Sequence, residues 1–372
     1  MYSLFPDEHV YIDFSVKISI PVGKNKKTYY IGKEKGILKK YEGDIFSGYE
    51  FRTVHGFVYF LSKNKDKYPK EAYDAVFYLQ LDENQKLDLG NIQNCKKKLL
   101  IGKHPSILHI VSSWNNAFQY KQEKRNEIGD IVQYGLRPPQ TGALHSILAH
   151  WSISNKPALV IMPTGTGKTE TMLCLLIANQ NEKTLVIVPT DSLRTQISNK
   201  FIGLGILKAE PFDIIANSAL YPKVSVLKTT IDTIEDAEKL LDANVIVSTP
   251  QILSNLLKTG KSDIFKLIVQ QCNNLIVDEA HHIAAKTWKD IKLNFEAAGK
   301  PVLLFTATPF RNDGGRIEGE TIYNYPLSLA QRDKYYEKII FAPIVDFNPA
   351  TADEKIAEKA IETLKRDLEA GY

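Results

Sequence analysis

Cysteine is scarce in this chain: Cys95, Cys174 and Cys272 are the only three among 372 residues. They stand far apart, which excludes zinc-type spacing and gives no sign of a disulfide framework. The odd count, together with an opening MYSLFPDEHVYIDF that lacks a basic segment followed by an apolar run, leads to the expectation of a reducing, cytoplasmic location. Long hydrophobic runs are missing as well. The longest are of strand length, short of the ~20 residues a spanning helix needs, so no membrane partner is expected. Charge of one sign is also lacking. Lys and Arg number 47 against 43 Asp and Glu, a formal +4 that permits nucleic-acid binding without arguing for it. No internal repeat and no low-complexity tract is found.

What is there has the composition of a globular protein, 44% hydrophobic and 24% charged. The length exceeds one ordinary domain. Residues 1–130 predict a β-rich accessory domain. From Val10 to Ile20, apolar residues alternate without exception with Tyr11, Asp13, Ser15, Lys17 and Ser19, the period of a half-buried strand. Further strands are expected at Thr28–Ile31, Phe57–Leu61, Ala75–Leu81, Leu99–Ile101 and Ile107–Val111, with Lys63–Lys70 as a separating loop. Lys96–Lys98 reads as a solvated turn. This part contains no phosphate loop, metal cluster or nucleophile constellation. Residues 115–135 are polar and charged and read as a linker or helix.

After Pro138–Pro139 the pattern changes. Ala143, Leu144, Ile147, Leu148 and Trp151 mark one helical face. Short apolar runs then alternate with helical patterns at Ala158–Met162, Thr184–Val188, Asn244–Val247, Leu275–Val277 and Val302–Phe305. Such alternation predicts an α/β fold whose parallel sheet is buried on both faces.

Met162-Pro-Thr-Gly-Thr-Gly-Lys-Thr169 follows one of these strands and opens a helix, as a phosphate loop requires. Thr164, Gly165, Thr166 and Gly167 would let backbone N–H groups approach phosphates, and the helix N-terminus favours their charge. Lys168 would reach the β- and γ-phosphates of ATP, and the Thr169 hydroxyl would ligate Mg²⁺. Met162 stands where the general pattern has its first glycine. In Asn274–His282 a strand ends at Asp278, placed to hold Mg²⁺ through water, and Glu279 beside it could polarise an attacking water. His281 and His282 are expected to point apart, so no metal pair is expected. One of them would couple the γ-phosphate to the rest of the domain.

These segments resemble motifs I and II of DEAH-type superfamily 2 helicases, the second reading Asp-Glu-Ala-His at 278–281. Leu136–Gln140 resembles the adenine-recognition segment, with Gln140 and Arg137 at the base. Pro189–Gln196 resembles motif Ia, Ser248–Ile252 motif Ib and Thr306–Pro309 motif III, the last followed by Phe310-Arg-Asn-Asp313. The resemblance covers about 136–345 and is nearest to the type I/III restriction-enzyme-like motor branch. It implies a first RecA-like P-loop NTPase lobe over 131–345, ATP and Mg²⁺ as cofactors, and nucleic acid, usually duplex DNA, as partner. Thr190, Arg194, Thr249 and Pro250 would lie along one strand, although each taken singly is also an ordinary strand-to-helix turn residue. Thr306 and Thr308 would couple nucleotide state to lobe movement. The family engine needs a second RecA-like lobe, in cis or in trans. Ile356, Ala360, Ile361, Leu364 and Leu368 form one helical face, so 346–372 reads as a helical lead-in towards it. The alternatives are an RNA-directed motor and a non-catalytic nucleotide-sensing module.

Overall fold

The computed structural model describes residues 9–81, 88–282, 285–310, 314–336 and 349–369. Arg311, Asn312 and Asp313 lie outside these. In the N-terminal part, strands β1 (Val10–Val22), β2 (Asn25–Glu42), β3 (Ser47–Thr53), β4 (Val58–Ser62) and β5 (Ala75–Gln80) are followed by α1 (Leu89–Asn94), β6 (Lys96–Gly102) and α2 (Ile107–Ser112). The alternation in β1 is broken where the sequence shows no break. Ser15 takes φ 47° and the register to β2 shifts between Asp13 and Val16, a bulge that leaves Val16 half-buried and Ile20 exposed.

Three expectations are corrected here. Ile107–Val111 is helical, because Ser106 accepts the His109 N–H at 3.2 Å and caps a run too short for its periodicity to distinguish helix from strand. Lys96–Lys98 belongs to a strand, and Lys97 is buried with its ammonium donating to the Gln93 and Cys95 carbonyls at 3.0 and 2.9 Å. Residues 115–135 form no long helix. They run over the following lobe through the bridges Phe118↔Ile215 and Gln122↔Leu136, and fold into the small hairpin β7 (Lys124–Arg125) and β8 (Ile131–Gln133).

Next come α3 (Pro138–Ile153), β9 (Ala158–Ile161), α4 (Lys168–Ala178), β10 (Thr184–Ile187), α5 (Asp191–Gly203) and β11 (Val224–Val226). They are followed by α6 (Ile234–Leu241), β12 (Val245–Ser248), α7 (Pro250–Lys258), α8 (Ser262–Gln271), β13 (Asn274–Val277) and α9 (Ala285–Ala297). The lobe closes with β14 (Val302–Thr306) and β15 (Glu320–Asn324). Strands β9 to β14 are buried throughout, which is why they read as continuous apolar runs. Their order β15-β9-β14-β13-β10-β12-β11 is parallel, and from β9 to β14 the chain crosses between them through helices.

The sheet does not stop at β11. Strand β2 pairs antiparallel with it, Val224 opposite Thr28 and Val226 opposite Lys26, so the N-terminal strands extend the parallel sheet to thirteen strands among the described residues. One compact unit covers 1–327, and the change of sequence pattern near residue 130 falls inside it. Val22 packs in the same apolar cluster as Leu227, Ile231 and Leu253. Trp114, fully buried, donates its indole N–H to the Leu220 carbonyl at 2.9 Å. At the seam, Asp242 accepts from Lys27 at 2.7 Å and from Lys223 at 2.6 Å. A second unit covers 328–372 and contains the helix α11 (Pro349–Glu369), after the short α10 (Leu327–Arg332); Ile356, Ile361, Leu364 and Leu368 are exposed along α11. No helix among the described residues is long and apolar enough to cross a membrane.

Burial pushes the Asp242 carboxyl up, but the hydrogen bonds from Lys223 and Lys27 outweigh it and hold the group below its usual range. Its contribution is therefore present above the ordinary carboxylate value of about 4 and fades as pH falls through the lower folded value. Asp242→Ala should cost about 1–3 kcal/mol, because the buried Lys223 loses its counter-charge while the half-exposed carboxylate keeps much of its hydration. Urea unfolding at pH 7 and at successively lower pH checks this: the deficit should be plain at pH 7 and shrink as acid protonates Asp242.

Candidate functional site

The parallel order sets the site. Strands β9, β14 and β13 are neighbours, so Ile161, Thr306 and Val277 end side by side at one edge of the sheet. From Ile161 the chain turns through Met162–Gly167 into α4. Gly165 and Gly167 take φ 82° and 98°, a region that strongly favours glycine. Thr166, fully buried, pins the turn by donating its hydroxyl to the Pro163 carbonyl at 2.7 Å. Met162 fills the pattern's first glycine position as a buried apolar residue whose N–H donates to the Thr306 carbonyl at 2.9 Å. The loop is thus tied to the neighbouring strand.

Gln140 and Arg137 come from the start of α3. The Arg137 N–H donates to Gln140 Oε1 at 2.8 Å, and Arg137 Nη1 donates to the Gly165 carbonyl at 3.1 Å. Gln140 lies so close over the loop that a Cβ added at Gly167 would sit 2.0 Å from its Nε2. These residues, with Thr164, Lys168, Thr169, Asp278 and Glu279, line one cavity of about 510 Å³. Its lining also includes residues that the sequence did not single out: Glu123, Ile131, Ile206, Leu207 and Phe212. Glu123 and Ile131 sit in the segment read as a linker, and neither a turn signature nor a periodicity marks them.

Lys168 is 7% exposed, and its ammonium lies 2.7 Å from Glu279 Oε1 in an ion pair that is not aligned as a hydrogen bond. Glu279 itself takes φ 48°, uncommon for a residue with a side chain and typical of strained functional turns. Its other oxygen is 3.5 Å from His281 Nδ1. Thr306 Oγ1 donates to the Thr308 carbonyl at 2.7 Å, which uses its only proton, so the 3.0 Å contact with His281 Nδ1 requires that nitrogen to carry hydrogen. Burial pushes the His281 imidazole down, with His282 adding to the effect, which favours the neutral ring; in that form the Thr306 contact places the proton on Nδ1. A polar chain thus runs from Lys168 through Glu279 and His281 to Thr306. His281 and His282 are corrected on one point: they sit on a short 3₁₀ turn with ring centroids 4.0 Å apart, and do not point apart. No group of three or more metal-binding side chains of the His, Cys, Asp and Glu type occurs among the described residues.

Asp278 is 4% exposed and accepts the Glu279 N–H at 3.0 Å. Burial and then the Glu279 charge push its carboxyl up to about 6, against the pull of Lys168. The Thr169 hydroxyl and the Asp278 carboxylate, both at the cavity, are hard oxygen donors of the kind Mg²⁺ takes.

The residues of the other two segments are held more tightly. Thr190 caps α5 by accepting the Leu193 N–H at 3.3 Å. Arg194 is 5% exposed and lies 2.9 Å from Asp191. Thr249 and Pro250 are buried at the start of α7. All four lie at the carboxyl ends of β10 and β12, the edge that also carries the cavity. Cys174 and Cys272 are fully buried and unpaired.

An ionised Asp278 costs stability above its folded value of about 6, and this cost disappears as pH falls towards the unfolded value. Asp278→Asn should accordingly raise the melting temperature of the nucleotide-free protein at pH 8 and leave it nearly unchanged at pH 4. A thermal melt at the two pH values reads both.

Residues 133–311 match the family described as "Type III restriction enzyme, res subunit". The chain is 27% identical over 280 residues to the ATP-dependent RNA helicase ROK1 of Lodderomyces elongisporus, an alignment covering 71% of this chain and 45% of that protein. It thus spans less than half of that relative's length. Among solved structures it is similar to the Hef helicase domain of Pyrococcus furiosus, at 22% identity over 45% of this chain and 32% of that one, TM-score 0.30. It is also similar to the UvsW helicase of bacteriophage T4, at 18% identity over 56% of this chain and 62% of that one, TM-score 0.33. The family match thus covers just under half of the chain, and it is the part that carries the phosphate loop, Asp278 and Glu279.

Proposed function

We propose that this chain supplies the ATP-binding lobe of a motor that moves on duplex DNA and hydrolyses ATP once a second RecA-like lobe, in cis or in trans, completes the site. The observation that carries this is the convergence of Gln140, the Gly165–Thr169 loop, Asp278 and Glu279 on one cavity. The loop N–H groups and the Lys168 ammonium receive the phosphates. Lys168 must leave Glu279 to do so, which frees that carboxylate to polarise a water. Thr169 and Asp278 would hold Mg²⁺, which supplies charge neutralisation at the phosphates when bound. His281 and Thr306 tie the Asp-Glu turn to β14, so a change at the phosphates is passed to Thr308 and the strand end. Thr190, Arg194, Thr249 and Pro250, at the starts of two helices on the same edge, would meet backbone phosphates; Arg194 would exchange Asp191 for one. The likeness to the ATP-dependent RNA helicase ROK1 favours a second reading, an RNA-directed motor.

Lys168→Ala should weaken ATP binding about 10–100-fold, the worth of a charge-assisted contact. Glu279→Gln should retain binding and stop hydrolysis in the completed enzyme. Calorimetric titration and phosphate release check the pair, and equal affinity for Lys168→Ala and the parent would contradict the assignment. Without the arginine of a facing lobe, hydrolysis should be slower by about 10³–10⁵. Stimulation by duplex DNA, single-stranded DNA and RNA, measured on the completed motor, separates the two readings.

A further inference from the structure

The N-terminal ribbon reaches the functional edge of the motor lobe. Strand β11 lies beside β12 in parallel, and β2 lies beside β11 in the opposite direction with Lys26 opposite Val226. The β1–β2 turn, Gly23-Lys24, therefore emerges at the carboxyl edge of the parallel sheet, next in line after Thr190 at the end of β10 and Thr249 at the end of β12. Three strand spacings of ~4.8 Å separate β10 from β2, about 14 Å, or roughly four nucleotides at 3.4 Å each.

The tip is built firmly into this position. Asn25 is 5% exposed, and its side-chain oxygen accepts the N–H groups of Lys228 and Thr229 at 2.7 and 3.0 Å, sewing the turn to the loop that leaves β11. Val22 is buried in the motor-lobe core with Leu227 and Ile231. Gly23 has φ 58°, fits the tight two-residue hairpin and faces open space, with nothing within 4 Å of an added Cβ. Lys24, Lys26 and Lys228 are exposed around it. Asp232 and Asp236 line the adjoining hollow, but Lys261 pairs with Asp232 at 2.6 Å, so the tip keeps a positive excess.

We propose that this hairpin tip is a fixed phosphate-contacting finger that extends the nucleic-acid track of the motor lobe by Lys24, Lys26 and Lys228. The inference rests on the preceding reading that Thr190 and Thr249 lie along a nucleic-acid strand. Its partner is the sugar–phosphate backbone, because lysines on a rigid turn position without reading bases. The N-terminal strands thereby carry basic side chains to the motor's working edge as a rigid continuation of its sheet.

A salt titration of fluorescent duplex and single-stranded DNA binding by the full chain tests this, with the triple variant Lys24→Ala, Lys26→Ala, Lys228→Ala. Each lost phosphate contact removes about 0.9 from the log–log salt slope on duplex DNA and about 0.7 on single strands. The triple variant should lose about two units or more, with unchanged ATP affinity and melting temperature. A control pair, Lys33→Ala with Lys35→Ala, alters exposed lysines further along the same ribbon and should leave the slope intact. An unchanged slope in the triple variant, or an equal loss in the control pair, overturns the finger while leaving the motor reading in place. A parent chain that binds no nucleic acid at low salt overturns both.

Discussion

The adjacency of three parallel strand ends is the constraint from which the rest follows. Because β14 lies between β9 and β13, the phosphate loop, Thr306 and the Asp278–Glu279 turn meet at one edge without long loops. Backbone bonds enforce the alignment: the Met162 N–H is held by the Thr306 carbonyl, and the Asp278 N–H by the Ile187 carbonyl. A slip of one residue in any strand would turn Asp278 or Thr306 away from the cavity. The apolar residues of these strands, buried on both faces, provide the packing that holds the register.

That packing has an electrostatic cost. Asp278 and Lys168 are buried and the Glu279–His281 pair is half-buried beside them, where an isolated charge is disfavoured. Lys168 and Glu279 neutralise each other, His281 is pushed towards its neutral form, and Asp278 is pushed towards protonation. Each of these arrangements balances charge within the protein alone and must be rearranged when phosphates and a cation enter. Stability has been given up at the place where ligand binding returns it.

Much of this was legible in the sequence because motif residues have fixed backbone demands. Gly165 and Gly167 are needed for positive φ, Asp278 ends a strand of apolar residues, and the fully buried strands read as short apolar runs. Other features leave no such mark. The bulge at Ser15 is hidden in a perfect alternation, and the helix at Ile107 depends on one cap. The hairpin at 124–133 is too short and polar to show a period, so nothing local marks Glu123 and Ile131 as part of the cavity wall. The joining of β2 to β11 was not legible at all: pairing between strands some two hundred residues apart is set by packing, and no local pattern encodes it.

A structure of the chain with Mg²⁺ and a non-hydrolysable ATP analogue bears most directly on the claim that this edge is a phosphate site. The account predicts the β- and γ-phosphates on the N–H groups of Gly165–Thr169, the base near Gln140, and the Lys168 ammonium moved from Glu279 to the phosphates. An analogue bound elsewhere, or bound here with the Lys168–Glu279 pair intact, would contradict it.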